Sequence, residues 1–140
     1  VPPAESGSSA SGQQGAVAVA DYNGDGRVDV AMSQNNGETK LFENRASATG
    51  VRVRFEGGPK NPDAIGTQYS VVSDSGGRAV REIQAGGGWL SQDSFAQVVG
   101  RPKKDARLHV SWPGGKQSDF EFPISANEVV VSENGVKVVR

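Results

Sequence analysis

The chain has 140 residues, 35% of them apolar, with 19 glycines, a formal net charge of −1 and no cysteine. That length suggests one domain, or one domain with a fragment attached, and it allows a real core without covalent staples. The charge balance argues against a nucleic-acid or anionic-membrane surface. The missing cysteine excludes disulfides, thiolate zinc sites and a cysteine nucleophile, and no apolar run is long enough to insert across a bilayer.

Residues 1–15, "VPPAESGSSASGQQG", are rich in Ser, Gly and Pro and hold almost nothing to bury, so they read as a flexible leader. A chain that starts at Val1 is expected to be a processed or excised piece, and an export signal is then not expected within it. "AVAVA" (Ala16 to Ala20) is a short strand, followed by the acidic loop "DYNGDGRVD" and by "VDVAMS" and "ETKLFEN", which "QNNG" joins as a hairpin. "VRVRFEG" alternates Val51, Val53 and Phe55 with Arg52 and Arg54, a strand with one wet face. "TQYSVVS" and "RAVREIQ" flank "DSGG" as a second hairpin. "ARLHVSW" places Ala106, Leu108, Val110 and Trp112 on one face, "WPGGKQ" turns the chain, and "SDFEFPI" returns with Phe120 and Phe122 inward. In "EVVVSENGVKVVR" the pair Asn134-Gly135 predicts a type I′ hairpin turn. No stretch has a convincing helical period. The fold class is all-β, an antiparallel sandwich or barrel, with an N-terminal hairpin whose apolar faces are expected to find cover in one sheet with the later strands.

In the loop, Asp21, Asn23, Asp25, Arg27 and Asp29 stand at alternate positions, with Gly26 permitting a sharp bend. Calcium takes six to eight hard oxygens in flexible geometry. Three side chains, the Arg27 carbonyl and a closing Asp29 supply such a set, with Val28 and Val30 pointing into a core between them. It is not an EF-hand: the twelfth position is Met32, and strands flank the loop. The competing reading is a polar turn, since Asn, Asp and Gly dominate turns in any case. Calcium is the favoured reading, because three carboxylates in nine residues repel one another unless a cation neutralises them. Magnesium fits less well, because it keeps more of its water.

Strand, "DYNGDGRVDV", strand and the tail "LFENR" resemble an FG-GAP (VCBS-type) repeat, here residues 16–46. That resemblance implies a calcium loop and a blade of a β-propeller, and only one repeat is visible; a single blade cannot bury its own faces. Over roughly residues 50–133, "NPDAIGTQYSV", "REIQAGGGWLSQ" and "VSWPGGKQ" resemble the ASPIC/UnbV domain, assigned here to residues 47–140. The family's Phe-Gly-Leu-Gly-like stretch is replaced by "QVVGRPKKD", which retains only Gly100. The resemblance implies an extracellular or cell-surface β domain with no established catalytic activity.

Other chemistry-bearing residues are sparse. His109, the only histidine, faces away from the apolar side of its strand and reads as solvated. "AGGGWL" lacks the Lys-Ser/Thr of a phosphate loop and reads as a tight corner. Trp89 and Tyr69 are the candidate ligand-binding aromatics, on which a sugar can stack; Trp112 belongs to the core. Arg101, Lys103 and Lys104, with Arg52, Arg54, Arg78 and Arg81, form a weak basis for an acidic partner. The expected function is a non-enzymatic, calcium-stabilised interaction or adhesion module of a secreted or cell-surface protein, contacting an extracellular protein or glycan through end loops. The alternative is a carbohydrate-binding module using exposed aromatics. A hydrolase is the weakest reading, since no nucleophile–base pair is visible.

Overall fold

The computed structural model describes residues 12–73 and 79–140. Residues 1–11 of the expected leader and the "DSGG" turn lie outside the described residues, and Gln14 and Gly15 already belong to a strand. Among the described residues there are eleven strands and no helix. They are β1 (Gln14–Ala20), β2 (Asp29–Gln34), β3 (Lys40–Phe42), β4 (Gly50–Glu56), β5 (Gln68–Ser73), β6 (Arg81–Glu82), β7 (Gln97–Gly100), β8 (Ala106–Ser111), β9 (Gln117–Glu121), β10 (Glu128–Ser132) and β11 (Gly135–Val138). They form three sheets, ordered β1-β2-β3, β11-β10-β4-β7 and β6-β5-β8-β9.

The two four-stranded sheets make the sandwich, and period-two alternation decides what they bury. Val51, Val53 and Phe55 of β4 and Val129 and Val131 of β10 meet Tyr69, Ala106, Leu108 and Val110 from the opposite sheet. Phe55 sits at the centre, its ring 4.8 Å from that of Tyr69 and 5.9 Å, edge-on, from that of Trp112. Trp112 is buried as expected and donates its indole N–H to Ser118 Oγ at 3.0 Å. Phe122 is buried and Phe120 packs against the core. No closed barrel forms among the described residues.

Four expectations change. The pairing is antiparallel except between β4 and β10, which run parallel, Val53 opposite Val129. The Asn134-Gly135 hairpin forms with Ser132 opposite Gly135, but its turn is Glu133-Asn134 with no positive φ at either. Gly135, at φ 149°, rejoins the strand instead, so the turn is not type I′. Residues 14–42 do not share a sheet with the later strands; β1, β2 and β3 make their own. None of their side chains joins the core cluster, and Val28, expected inside, is 39% exposed. The N-terminal sheet is held by polar contacts. At its β1 edge the Ser94 N–H donates to the Val19 carbonyl at 3.0 Å and the Val19 N–H to Asp93 Oδ1 at 2.9 Å.

Because Phe55 joins both layers, Phe55→Ala is expected to destabilise the sandwich by about 3–5 kcal/mol, read as a lower urea midpoint.

Candidate functional site

β1 ends at Ala20 directly opposite Asp29, the first residue of β2, so the acidic loop closes a hairpin. Gly24 (φ 74°) and Gly26 (φ 81°) let it fold back. At Gly26 a side chain is excluded twice over: its φ is left-handed, and a Cβ would stand 2.9 Å from the Gly50 carbonyl.

Asp21 and Asp29 are 4% and 2% exposed. A carboxylate leaves water only if its oxygens find donors, and here the donors are backbone amides. Asp21 accepts from Asp25 N–H and Gly26 N–H, both at 3.0 Å. Asp29 accepts from Asn44 N–H at 2.7 Å and Tyr22 N–H at 3.3 Å. Asn23 and Asp25 each accept an amide two residues on, from Asp25 at 3.1 Å and Arg27 at 2.9 Å, which makes successive Asx turns. The other Asp25 oxygen takes Arg27 Nη1 at 2.9 Å and Asn23 Nδ2 at 3.1 Å, while Arg27 Nε donates to the Ala46 carbonyl. Desolvation pushes the Asp25 carboxyl up, but the hydrogen bonds from Arg27 and Asn23, with the Arg27 charge, outweigh it and hold it below its ordinary value.

The loop's carbonyls turn the other way, toward the sandwich. Asp21 O accepts from Arg52 Nη1 at 3.1 Å, Gly24 O from Arg140 Nη2 at 2.8 Å, and Gly26 O from Gly50 N–H at 2.7 Å. Arg52, Arg140, Gly50 and Asn44 were not among the expected site residues. Only Asn44, in the "LFENR" tail, carried a signal in the sequence; a strand-face arginine and a glycine starting a strand gave none.

The structure brings Asp21, Asn23, Asp25, Arg27 and Asp29 into one loop. Their hard oxygens are the kind calcium takes, and a carboxylate oxygen that accepts one amide keeps a second lone pair. Among the described residues, however, no three acidic or histidine side chains gather closely enough to share one ion. The positive charge beside Asp25 is the Arg27 guanidinium.

The two aromatic candidates part company. Trp89 is 81% exposed and Leu90 83%, at the tip of a corner closed by Gln92, whose amide accepts from Gly86 N–H and donates to the Gln84 carbonyl at 3.0 Å. Leu90 takes φ 52°, a left-handed backbone that a bulky side chain adopts only under strain, so the corner is a strained turn. Tyr69 corrects the expectation. Its ring is buried against Phe55 and its hydroxyl donates to Gln97 Oε1 at 2.9 Å, so it offers no face for a sugar. The arginines do not form a free basic face. Arg101 binds the carbonyls of Ile124 and Ala126, Arg81 that of Val98, and Arg54 pairs with Glu56; Arg78 lies outside the described residues.

A two-sheet all-β domain behind a small loop-bearing sheet is the class that these elements define. The family model described as ASPIC and UnbV matches residues 57–138, more than half of the chain, and the chain belongs to that family. The match begins after β4, so the acidic loop and the N-terminal sheet lie outside it. No curated protein matches the chain.

Burial pushes the Tyr69 phenol up, against an opposing pull from Arg81, to about 12 from an ordinary 10.0. The folded value is the higher one. The stability that Tyr69 contributes is therefore complete below pH 10.0 and is lost as pH rises toward about 12. An ultraviolet titration is expected to show one late tyrosine step, absent in Tyr69→Phe.

Proposed function

We propose that the chain is a non-enzymatic, calcium-stabilised interaction module of a secreted or cell-surface protein, with residues 16–46 a single FG-GAP-type repeat. One observation carries the reading. The Asp21–Asp29 loop is turned inward on its own amides and outward on β4 and the C-terminal Arg140 of the sandwich, so whatever orders the loop bears on how the N-terminal sheet meets the sandwich. Asp21, Asn23, Asp25, the Arg27 carbonyl and Asp29 would hold the ion. Calcium supplies positive charge that relieves repulsion among three carboxylates, a task that the Arg27 guanidinium performs for Asp25 alone. The module's contacts fall to its exposed end loops, and no helix among the described residues is long and apolar enough to cross a membrane. Calorimetric titration is expected to give a dissociation constant on the order of 10⁻⁴ to 10⁻³ M, with a raised melting temperature, and Asp25→Ala is expected to lose both. Absence of binding at millimolar calcium contradicts the calcium part of the reading.

The exposure of Trp89 favours a second reading, a carbohydrate-binding module. An aromatic plate on a braced corner is suited to stack against a sugar face. Tryptophan emission is then expected to shift on adding the bound polysaccharide, and Trp89→Ala to abolish the shift while buried Trp112 still reports a folded core.

A further inference from the structure

The corner between β6 and β7 carries an exposed apolar tip that the calcium reading does not use. Gly88 and Ser91 pair across a tight turn, and Trp89 and Leu90 stand at its apex, both exposed. Leu90 holds its left-handed φ at a position that glycine fits without strain. The arm behind the tip is braced. Gln92 Nε2 donates to the Asp93 carbonyl at 2.9 Å as well as to that of Gln84, and Asp93 and Ser94 are bonded to Val19. Docking such a tip therefore costs little loop entropy. Residues 83–92 carry no charge, so the tip brings none into an interface.

Beside the tip lies a hollow that fits it. The register sets Ala18, Ala31 and Leu41 side by side on one face of the N-terminal sheet, with Ala20 next along β1 on the same face. The three alanines make a low floor. With Tyr22, Leu41 and the segment 92–94 they line an open, largely apolar groove of about 250 Å³. Small-molecule pockets start at about 300 Å³, so this groove is sized for one large side chain. Its carboxylates, Asp29 and Asp93, already accept backbone amides, so an apolar group that enters leaves neither without a donor. Gln92 is separated from Trp89 by at most about 11 Å of chain, which makes tip and groove neighbours on one surface. The exposure of Trp89 shows that it does not fill the groove of its own chain.

That adjacency decides the occupant. A surface with a knob beside a matching hollow is complementary to its own copy under a two-fold rotation, which seats both knobs at once. We propose that two copies of this chain associate in this way. Trp89 of each enters the alanine-floored groove of the other, Leu90 closes over the rim, and Tyr22, 55% exposed, stacks against the incoming indole. An aromatic side chain buries about 150–250 Å². Two tryptophans, two leucines and the groove walls facing them thus remove roughly 1,000 Å² from water, the lower bound for a specific interface. The dimer is accordingly weak, with a dissociation constant on the order of 10⁻⁵ to 10⁻⁴ M. It covers a face of the N-terminal sheet that the core cluster leaves uncovered. It also uses the side chain on which a sugar would stack, so the dimer and the sugar reading exclude each other at Trp89.

The test is sedimentation velocity of the full chain from roughly 10 μM to 1 mM, read together with tryptophan emission and with no sugar or lipid present. The sedimentation coefficient is expected to rise with concentration toward that of a dimer, and Trp89 emission to shift to the blue over the same range. Trp89→Ala, on the exposed tip, and Ala18→Leu, which fills the groove and keeps it apolar, are each expected to weaken association about tenfold or more. Emission from buried Trp112 reports that both variants keep the core. Mixing the two variants is expected to restore part of the association, because the tip of one meets the open groove of the other. A mixture that stays monomeric overturns the reciprocal geometry. A wild-type chain that remains a monomer at the highest concentration overturns the proposal, whether Trp89 emission then answers to a polysaccharide, to phosphatidylcholine vesicles or to neither. A dimer that neither variant weakens overturns it as well.

Discussion

Two carboxylates without access to water, Asp21 and Asp29, govern the N-terminal third of this protein. A charge in that position must be met by hydrogen bonds, and four backbone amides, those of Tyr22, Asp25, Gly26 and Asn44, meet them. Each amide so used fixes a piece of chain. Asp21 winds the loop over Asp25 and Gly26, and Asp29 binds the start of the loop to the segment after β3. The loop's carbonyls are thereby left facing outward, where Arg52, Arg140 and Gly50 take them. The N-terminal sheet sends no side chain into the core cluster, so its place beside the sandwich rests on this polar chain of bonds and on the Asp93–Ser94 edge contacts.

The sandwich obeys a different logic. There the burial of alternate valines, Phe55, Leu108 and Trp112 dominates, and polar groups follow the packing. Arg101 shows the boundary between the two regimes. It reaches from the end of β7 to the carbonyls of Ile124, Ala126 and Gly50, tying the chain before β10 to the first residue of β4. Its guanidinium, which in the sequence belongs to a short basic run, is in the fold a clamp on backbone carbonyls.

Much of the sandwich was legible because period two is a strong signal when one face is wet. Val51, Val53 and Phe55 face the core and Arg54 the solvent as the alternation predicts, as do Ala106, Leu108, Val110 and Trp112 against Arg107 and His109; Arg52, expected on the wet face, is instead covered by the acidic loop, with its Nε buried. The parallel β4–β10 pairing was not legible, since no local pattern distinguishes parallel from antiparallel neighbours far apart in sequence. Tyr69 was misplaced for a related reason. Tyrosine suits a surface and a core equally, and only the opposite sheet, with Phe55 against the ring and Gln97 to receive the hydroxyl, decides between them. Of the acidic loop, the spacing of its side chains was visible but the direction of its carbonyls was not. The partners of those carbonyls come from residues as distant as Arg140, and no local rule names them. The groove beside Trp89 was hidden likewise, because its alanine floor exists only once three strands are in register.

The central claim is that the carboxylate-wound loop is an ordered joint between the N-terminal sheet and the sandwich. Amide hydrogen exchange at Asp25, Gly26, Asn44 and Gly50 tests it most directly. These four N–H groups are bonded to Asp21, Asp29 and the Gly26 carbonyl rather than to any strand ladder of the loop itself. The account predicts that they exchange slowly, together, and more slowly still when calcium is added. Rapid, independent exchange of these amides beside a well-protected β4 and β8 would contradict it, leaving the loop a mobile turn on a sandwich that stands without it.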